Sequence, residues 1–423
     1  MKIIKVTNIE KFATKILPKQ PQKNRIIVES ILKDVKKNGD VAIRKYEKKF
    51  SRANITTLRV SKAEIKNAYS KVSKIELDSL RLAKKRLEKT ESAIKSLLKN
   101  KTINQDGIKI SKKFIPIQSV GCYIPGGLAK YPSSVIMSVV PAKVAGIKRI
   151  VVVSPPNTDG KIDPLTIVAA NLCGANEIYK TGGVQSIAAL SYGTKSILKV
   201  DKIVGPGGAF VTTAKYLISD NTGIDMLAGP TELGIISDNS TNPKLIALDL
   251  ISQAEHSSDT LCYLITTSQK LANSVNKIIL ELIPKIKRST FVKSSLKNNG
   301  FIAICKSSTD MIKLANTLAP EHLQIMTKNP ESISSKINTA GLILLGENTP
   351  SSASDYVLGS NHILPTNGFG KIRGPLSVLD FIKVNTQATC SKSSLSKLSK
   401  YLDALTTSEG LPNHFEAVRG RLK

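Results

Sequence analysis

The chain carries four histidines, His256, His322, His362 and His414, each in a short polar segment beside a carboxylate, a side-chain amide or a turn. An imidazole next to a carboxylate suits proton transfer near neutral pH, and imidazole, carboxylate and amide oxygen together suit a divalent cation. In SQAEH, Gln253 and His256 stand three residues apart at the end of a predicted helix, so both side chains project from one face. Alone, the pair is either half a metal site or a polar helix end with a capping histidine. In APEHL, Glu321 and His322 follow Pro320 and precede the apolar run LQIM, at a loop-to-strand junction. There they form either an acid-base couple or a surface pair. In SASDYVLGSNHILPT, Asp355 and His362 flank Gly359 in a polar loop. In SEGLPNHFEAVRGR, Glu409 closes one helix, Gly410 and Pro412 turn the chain, and Asn413 is placed to cap a short helix starting at His414.

Groups so far apart in sequence need a frame to bring them together, and 423 residues exceed one hydrophobic core. Residues 1–23 read as an arm ending at Pro18 and Pro21, followed by helix-period patterns at 24–49 and 62–98. From 113 the texture changes to short apolar runs. Between 123 and 238 strand, glycine turn and helix alternate (RIVVVS, KTGG, VDKIVGPGG, ELGIISD), and a second alternation covers 240–380. This pattern means parallel sheets with helices on their faces, whose ligands bind at the carboxyl ends of strands. The fold class is α/β, with two Rossmann-like parallel-sheet domains, one inserted in the other. The helices of 24–122 are expected to pack on the 239–380 unit as a discontinuous first domain, 123–238 is the inserted second domain, and 381–423 is a C-terminal helical segment.

Composition narrows the partners. A formal charge of +30 invites a nucleic-acid reading, but the lysines are spread along the whole length, aromatics are 4% and tryptophan is absent, so the stacking surfaces of base recognition are missing. Five scattered cysteines without a C-x-x-C pair point to a reducing cytoplasm and to small core residues, with Cys122 beside the glycine loop at 126. The N-terminus lacks a signal-like apolar run, and no later run approaches a membrane span. No glycine run matches a dinucleotide fingerprint or a P-loop; KTGGVQ and GPGGAF are weaker turns whose N–H groups could still receive a pyrophosphate.

In order, the segments GCYIPGG, KTGGVQSIAAL, VDKIVGPGGAFV, IDMLAGPTE, SQAEH, APEHL, SASDY, GSNHILPT and EGLPNH resemble those of the histidinol dehydrogenase family. The resemblance runs from about residue 25 to the C-terminus. It implies a cytoplasmic zinc- and NAD-dependent enzyme of histidine biosynthesis that oxidises L-histidinol to L-histidine through L-histidinal. It further implies one zinc per subunit on Gln253, His256, Asp355 and His414, with Glu321 and His322 as the acid-base pair. Thr231, His362 and Glu409 join His322 and the metal ligands at the substrate, and Tyr123 and Gln185 contact NAD. Gly208 stands where the family usually has asparagine. The same resemblance implies an intertwined homodimer in which Glu409 and His414 serve the partner's site. A zinc hydrolase on a similar frame and a basic anion-binding protein are the competing readings; the first would ignore NAD, and the second would not keep the ligands.

Overall fold

A computed structural model describes residues 1–16, 24–126 and 130–423, so the predicted end of the N-terminal arm at Pro18 and Pro21 lies outside the described residues. In chain order the strands are β1 (Lys2–Lys5), β2 (Lys101–Gln105), β3 (Ile108–Pro116), β4 (Ser119–Tyr123), β5 (Arg149–Ser154), β6 (Glu177–Lys180), β7 (Lys202–Val204), β8 (Gly223–Ile224), β9 (Glu232–Ser237), β10 (Leu261–Thr266), β11 (Phe301–Ile304), β12 (His322–Met326), β13 (Leu342–Leu345) and β14 (Ile382–Cys390). The helices are α1 (Ile9–Ile16), α2 (Arg25–Phe50), α3 (Lys62–Tyr69), α4 (Lys74–Ser96), α5 (Pro132–Ala145), α6 (Pro164–Cys173), α7 (Gly183–Tyr192), α8 (Ala209–Leu217), α9 (Pro243–Ala254), α10 (Gln269–Leu282), α11 (Ser289–Asn298), α12 (Ser308–Leu318), α13 (Pro330–Ser334), α14 (Ser351–Ser354), α15 (Lys392–Ser408) and α16 (Pro412–Leu422).

Two parallel sheets form the body, in the orders β6-β5-β4-β7-β8 and β1-β11-β10-β9-β12-β13. Their central strands are apolar without alternation because both faces are covered: Ile150 to Val153 and Leu264 to Ile265 are wholly buried. Helix α5, buried along most of its length, is apolar all round because it lies between the first sheet and the helices α4 and α6.

The chain visits these sheets in an order that corrects the expected domain boundaries. β1 is not a free arm: Lys2 to Lys5 pair in parallel with Phe301 to Ile304, at the edge of the six-stranded sheet. Helices α2, α3 and α4 pack chiefly on the five-stranded sheet rather than on the later unit, and of the later residues α4 meets the stretch from Val357 to Phe381. Val28, Ile43 and Leu58 share a core with Tyr123 and Val153, and Leu80 and Leu87 share one with Val120 and Met137, all on the five-stranded sheet. β9, expected to close the 123–238 domain, pairs with β10 and β12 in the other sheet. The chain therefore starts in one unit, builds the other, and returns between Ile224 and Glu232.

The expected single helix over 62–98 is split because two serines each start a helix. Ser61 with Glu64 and Ser73 with Glu76 both form reciprocal capping boxes. The region from 381, expected to be helical, opens instead with β14, which pairs antiparallel with β3, itself paired with β2 through a turn at Asp106-Gly107 where both residues have positive φ. Asn413 does not cap the last helix; α16 starts at Pro412, with Leu411 at the cap position. All five cysteines are free, and Cys122 is buried in β4, next to its last residue Tyr123.

Glu91 of α4, only 3% exposed, accepts a 2.6 Å hydrogen bond from Val378 N. Burial pushes its carboxyl up to about 7 from 4.5, so the folded chain prefers it protonated. Its contribution is fully present below about pH 4.5 and is lost as pH rises through about 7, roughly 2 to 3 kcal/mol in all. Glu91→Gln is expected to melt at the wild-type temperature near pH 4.5 and above it at pH 8; equal melting temperatures at pH 8 would contradict the assignment.

Candidate active site between the two sheets

Thr231-Glu232 enters β9 beside Glu321-His322, which enters β12, with His322 in register opposite Leu233. Glu321 Oε2 receives the Thr231 hydroxyl at 2.5 Å and Glu232 N at 2.8 Å, and Glu321 N donates back to Glu232 Oε2 at 3.2 Å. Gln253 Nε2 donates to Thr231 Oγ1 at 2.7 Å, so one hydroxyl joins the predicted metal ligand to the predicted base. Both dipeptides lie at the amino ends of their strands, not at the carboxyl ends favoured for open α/β sheets. The partner surface comes from the first sheet, where Ser134, in the first turn of α5, bonds His362 Nε2 at 3.1 Å. The site thus lies between the carboxyl edge of one sheet and the amino edge of the other.

Hydrogen bonds assign the imidazole tautomers. His322 Nδ1 donates to Glu232 O at 3.2 Å, leaving Nε2, which is buried without a hydrogen-bond partner, 3.5 Å from Asp355 Oδ1. Burial opposes a charge on His322, but the flanking carboxylates of Glu321 and Asp355 outweigh it and push the imidazole up to about 10. His362 Nδ1 donates to Asp355 O at 2.7 Å, closing the loop around Gly359 at φ +94°, and its Nε2 accepts from Ser134. Burial holds His362 below its usual range, and therefore neutral. Desolvation pushes the Glu232 carboxyl up to about 8, which leaves it protonated at neutral pH beside Glu321.

Gln253, Asp355, His322, Glu321, Thr231 and His362 are thus brought together. Gln253 lies in the last turn of α9, and His256 is just past its end, exposed, where the helix dipole favours positive charge. His256 is not on the helix face expected from its spacing, but it is near enough to help hold the Asp355 carboxyl low, although burial raises it. Asp355, capping α14, is 14% exposed and its carboxylate accepts no hydrogen bond shorter than the His322 contact. Glu409 and His414 are exposed at the α15–α16 turn and do not join the cluster within one chain. Tyr123 ends β4, and Gln185 is buried with Nε2 on Glu47 Oε1 at 2.8 Å. Gly208 caps α8 in open space, with nothing within 4 Å of an added Cβ. Three contributors escaped the sequence reading: Ser134, Glu232 and Glu47. Glu232 was within reach, adjoining Thr231 in GPTE; the other two carry no local signal.

The fold and this site define an α/β protein of two parallel sheets with a buried carboxylate–imidazole centre between them. A family model described as histidinol dehydrogenase matches residues 18–422. The chain is 42% identical over 396 residues to histidinol dehydrogenase of Methanocaldococcus jannaschii, covering 94% of this chain and 92% of that protein. It is 40% identical over 418 residues to the enzyme of Clostridium acetobutylicum, covering 98% and 96%. The crystal structure of histidinol dehydrogenase from Elizabethkingia anophelis superposes with a TM-score of 0.94 at 33% identity, covering 100% of this chain and 98% of that one. The chain belongs to the histidinol dehydrogenase family.

Thr231→Val would leave Gln253 Nε2 and one Glu321 lone pair unpaired in a buried setting, costing about 1 to 3 kcal/mol in chemical denaturation. Thr231→Ser, which keeps the hydroxyl, is expected to match the wild type within about 0.5 kcal/mol. Equal stability of the valine and serine variants would exclude the relay.

Proposed function

We propose that the chain oxidises L-histidinol to L-histidine through L-histidinal, reducing two NAD with one zinc ion per subunit. The observation that carries this reading is His322 Nε2, buried, unpaired and fixed as the basic atom by the Nδ1 bond to Glu232 O, between two carboxylates.

The donor set fits zinc. Gln253 spends its amide nitrogen on Thr231 and keeps its oxygen free, Asp355 offers a carboxylate without hydrogen-bonded partners, and His256 lies close by. With His414 of a second copy these make two imidazoles, a carboxylate and an amide oxygen. When bound, zinc supplies a fixed electrostatic anchor for the imidazole and amine of histidinol. His322 would be relieved of one of the two negative charges that keep it protonated once Asp355 held the ion. It then takes the alcohol proton at Nε2 as the carbinol hydride departs. Glu321, aligned by Thr231 and Glu232 N, takes a proton from the water that hydrates the aldehyde, which readies the hydrate for the second oxidation. His362, neutral and aimed by Ser134, binds the reacting end of the substrate, and Thr231 sets the angle of both Gln253 and Glu321. Tyr123, at the carboxyl end of β4, faces the cofactor side.

The active form is a homodimer. Ribbon β14-β3-β2 is exposed along most of its length, and Ile103, Val384, Tyr401, Leu405 and Leu411 stand uncovered on it and on the helices beyond. A second copy covers them and receives Glu409 and His414 at its own cluster. The cytoplasm suits the free thiols.

Purified protein with L-histidinol and NAD is expected to form two NADH per histidine, to stop with a strong chelator and to restart with Zn²⁺. Metal-replete protein that makes no NADH would reject the reading. For the shared site, His322→Asn and His414→Ala are each expected to be inactive, and co-refolding them in equal amounts should restore about a quarter of the activity, since half the dimers carry one intact site. No recovery would place His414 in its own subunit's site.

A further inference from the structure

Two glycine turns border the crevice of the five-stranded sheet, and one of them is already filled. The strand order β6-β5-β4-β7-β8 reverses direction between β4 and β7, so the switch-point crevice opens at Tyr123 and Gly205. The N-terminus of α7 reaches this crevice through Gly183 N, which donates to the Tyr123 hydroxyl at 3.4 Å. Tyr123 is held from the other side too: an added Cβ at Gly205 would strike Tyr123 O, and one at Gly207 would come within 3.3 Å of the Tyr123 ring. In doubly wound folds a bare helix N-terminus at such a turn receives phosphate. Here α7 has no side-chain cap of its own, since Gly182 occupies the cap position.

Glu47 occupies that place instead. Its Oε1 takes Gly182 N at 2.9 Å, Thr181 Oγ1 at 2.8 Å and Gln185 Nε2 at 2.8 Å, while Oε2 takes Ser51 Oγ at 2.7 Å. The residue is wholly buried, and it arrives from α2 beyond the break at Gly39, whose φ of +52° lets α2 wrap α7. Pinning Gln185 by its nitrogen leaves Oε1 buried and unpaired. A phosphate at this helix end would meet a buried carboxylate at contact distance, a repulsion that water cannot screen.

We infer that Glu47 is the positioning residue of the cofactor side: it closes the α7 N-terminus to phosphate and locks the 181–185 turn against Tyr123. The inference rests on the NAD reading above. Glu47 does not touch the cofactor; it acts through Gln185 and Tyr123.

The test uses full-length, zinc-loaded protein and a calorimetric titration with NAD in the absence of histidinol. Glu47→Gln keeps the shape but adds a donor that competes with the Gln185 amide, and NAD is expected to bind about tenfold more weakly. KM for histidinol should stay within about twofold, because Glu47 bonds none of the groups assigned to histidinol. In a Gln185→Ala background, Glu47→Gln should add no further loss. Unchanged NAD affinity in a folded Glu47→Gln variant, equal losses toward both substrates, or additivity with Gln185→Ala would each overturn the inference. Should Glu47→Gln fail to fold, Thr181→Val removes one donor and is read by the same criteria. Wild-type protein that does not bind NAD overturns the cofactor reading, and this inference with it.

Discussion

The parallel register of β12 against β9 is the constraint on which the site depends. Thr231-Glu232 and Glu321-His322 are about 90 positions apart in sequence, yet each supplies what the other needs: a hydroxyl and an N–H for Glu321, a carbonyl for His322. Side chains alternate along a strand, so a slip of one residue would send His322 to the opposite face and leave Glu321 facing apolar Leu233. Such a slip is opposed by the whole sheet, because Leu323 and Ile325 on the other face of β12 belong to a buried cluster with Tyr263 and Leu314. Core packing thereby sets the geometry of a buried carboxylate–imidazole pair.

The electrostatics follow from the same packing. Three acids, Glu232, Glu321 and Asp355, surround one buried imidazole, and three full negative charges could not persist together in a poorly solvated space. Glu232 resolves part of the conflict by staying protonated, which leaves its two oxygens to accept backbone N–H groups of Glu321 and Asn367. What remains calls for positive charge, as the raised His322 demonstrates. The carbonyl end of α9 points the same way, because Gln253 and His256 lie where the helix dipole is negative. Acids and helix end thus both favour positive charge at this spot.

Residue types and local spacing picked out groups that the fold brings together, because these sit in short polar interruptions of apolar runs: Glu321-His322 does begin a strand, and Asp355 and His362 do share a closed loop. The alternation of strand, glycine and helix likewise revealed both parallel sheets. What stayed hidden depends on tertiary choice. Lys2 to Lys5 are too few to announce a sheet strand, and β9 reads identically whichever sheet it joins. Helices α2 to α4 are amphipathic toward any apolar surface, so only the fit of Val28 and Leu87 against particular neighbours decides their place. Ser134 and Glu47 were invisible because their partners, His362 and Gln185, lie 228 and 138 residues away. The Asp-Gly turn at 106–107 was a local hairpin signal, and it was overlooked among lysines.

The C-terminal arm obeys a different economy from the rest of the chain. α15 buries Ser394 alone and α16 buries nothing, and β14 is exposed from Lys383 to Cys390. Isolated helices of this length are marginal in water, and a thin ribbon without a covered face is little better. β14 is tied to β3 by its antiparallel ladder, and beyond it α15 is attached through polar bonds of Ser391 and Ser394 to the Asp106-Gly107 turn. One chain leaves most of the arm's apolar surface uncovered, Tyr401, Leu405 and Leu411 among it. Glu409 and His414 ride on it, so on the dimer reading proposed above, burial of its apolar residues against a second copy would coincide with completion of the metal site. On that reading a subunit alone would lack both the apolar cover for the arm and one imidazole for the cation, so assembly and metal binding would each favour the other.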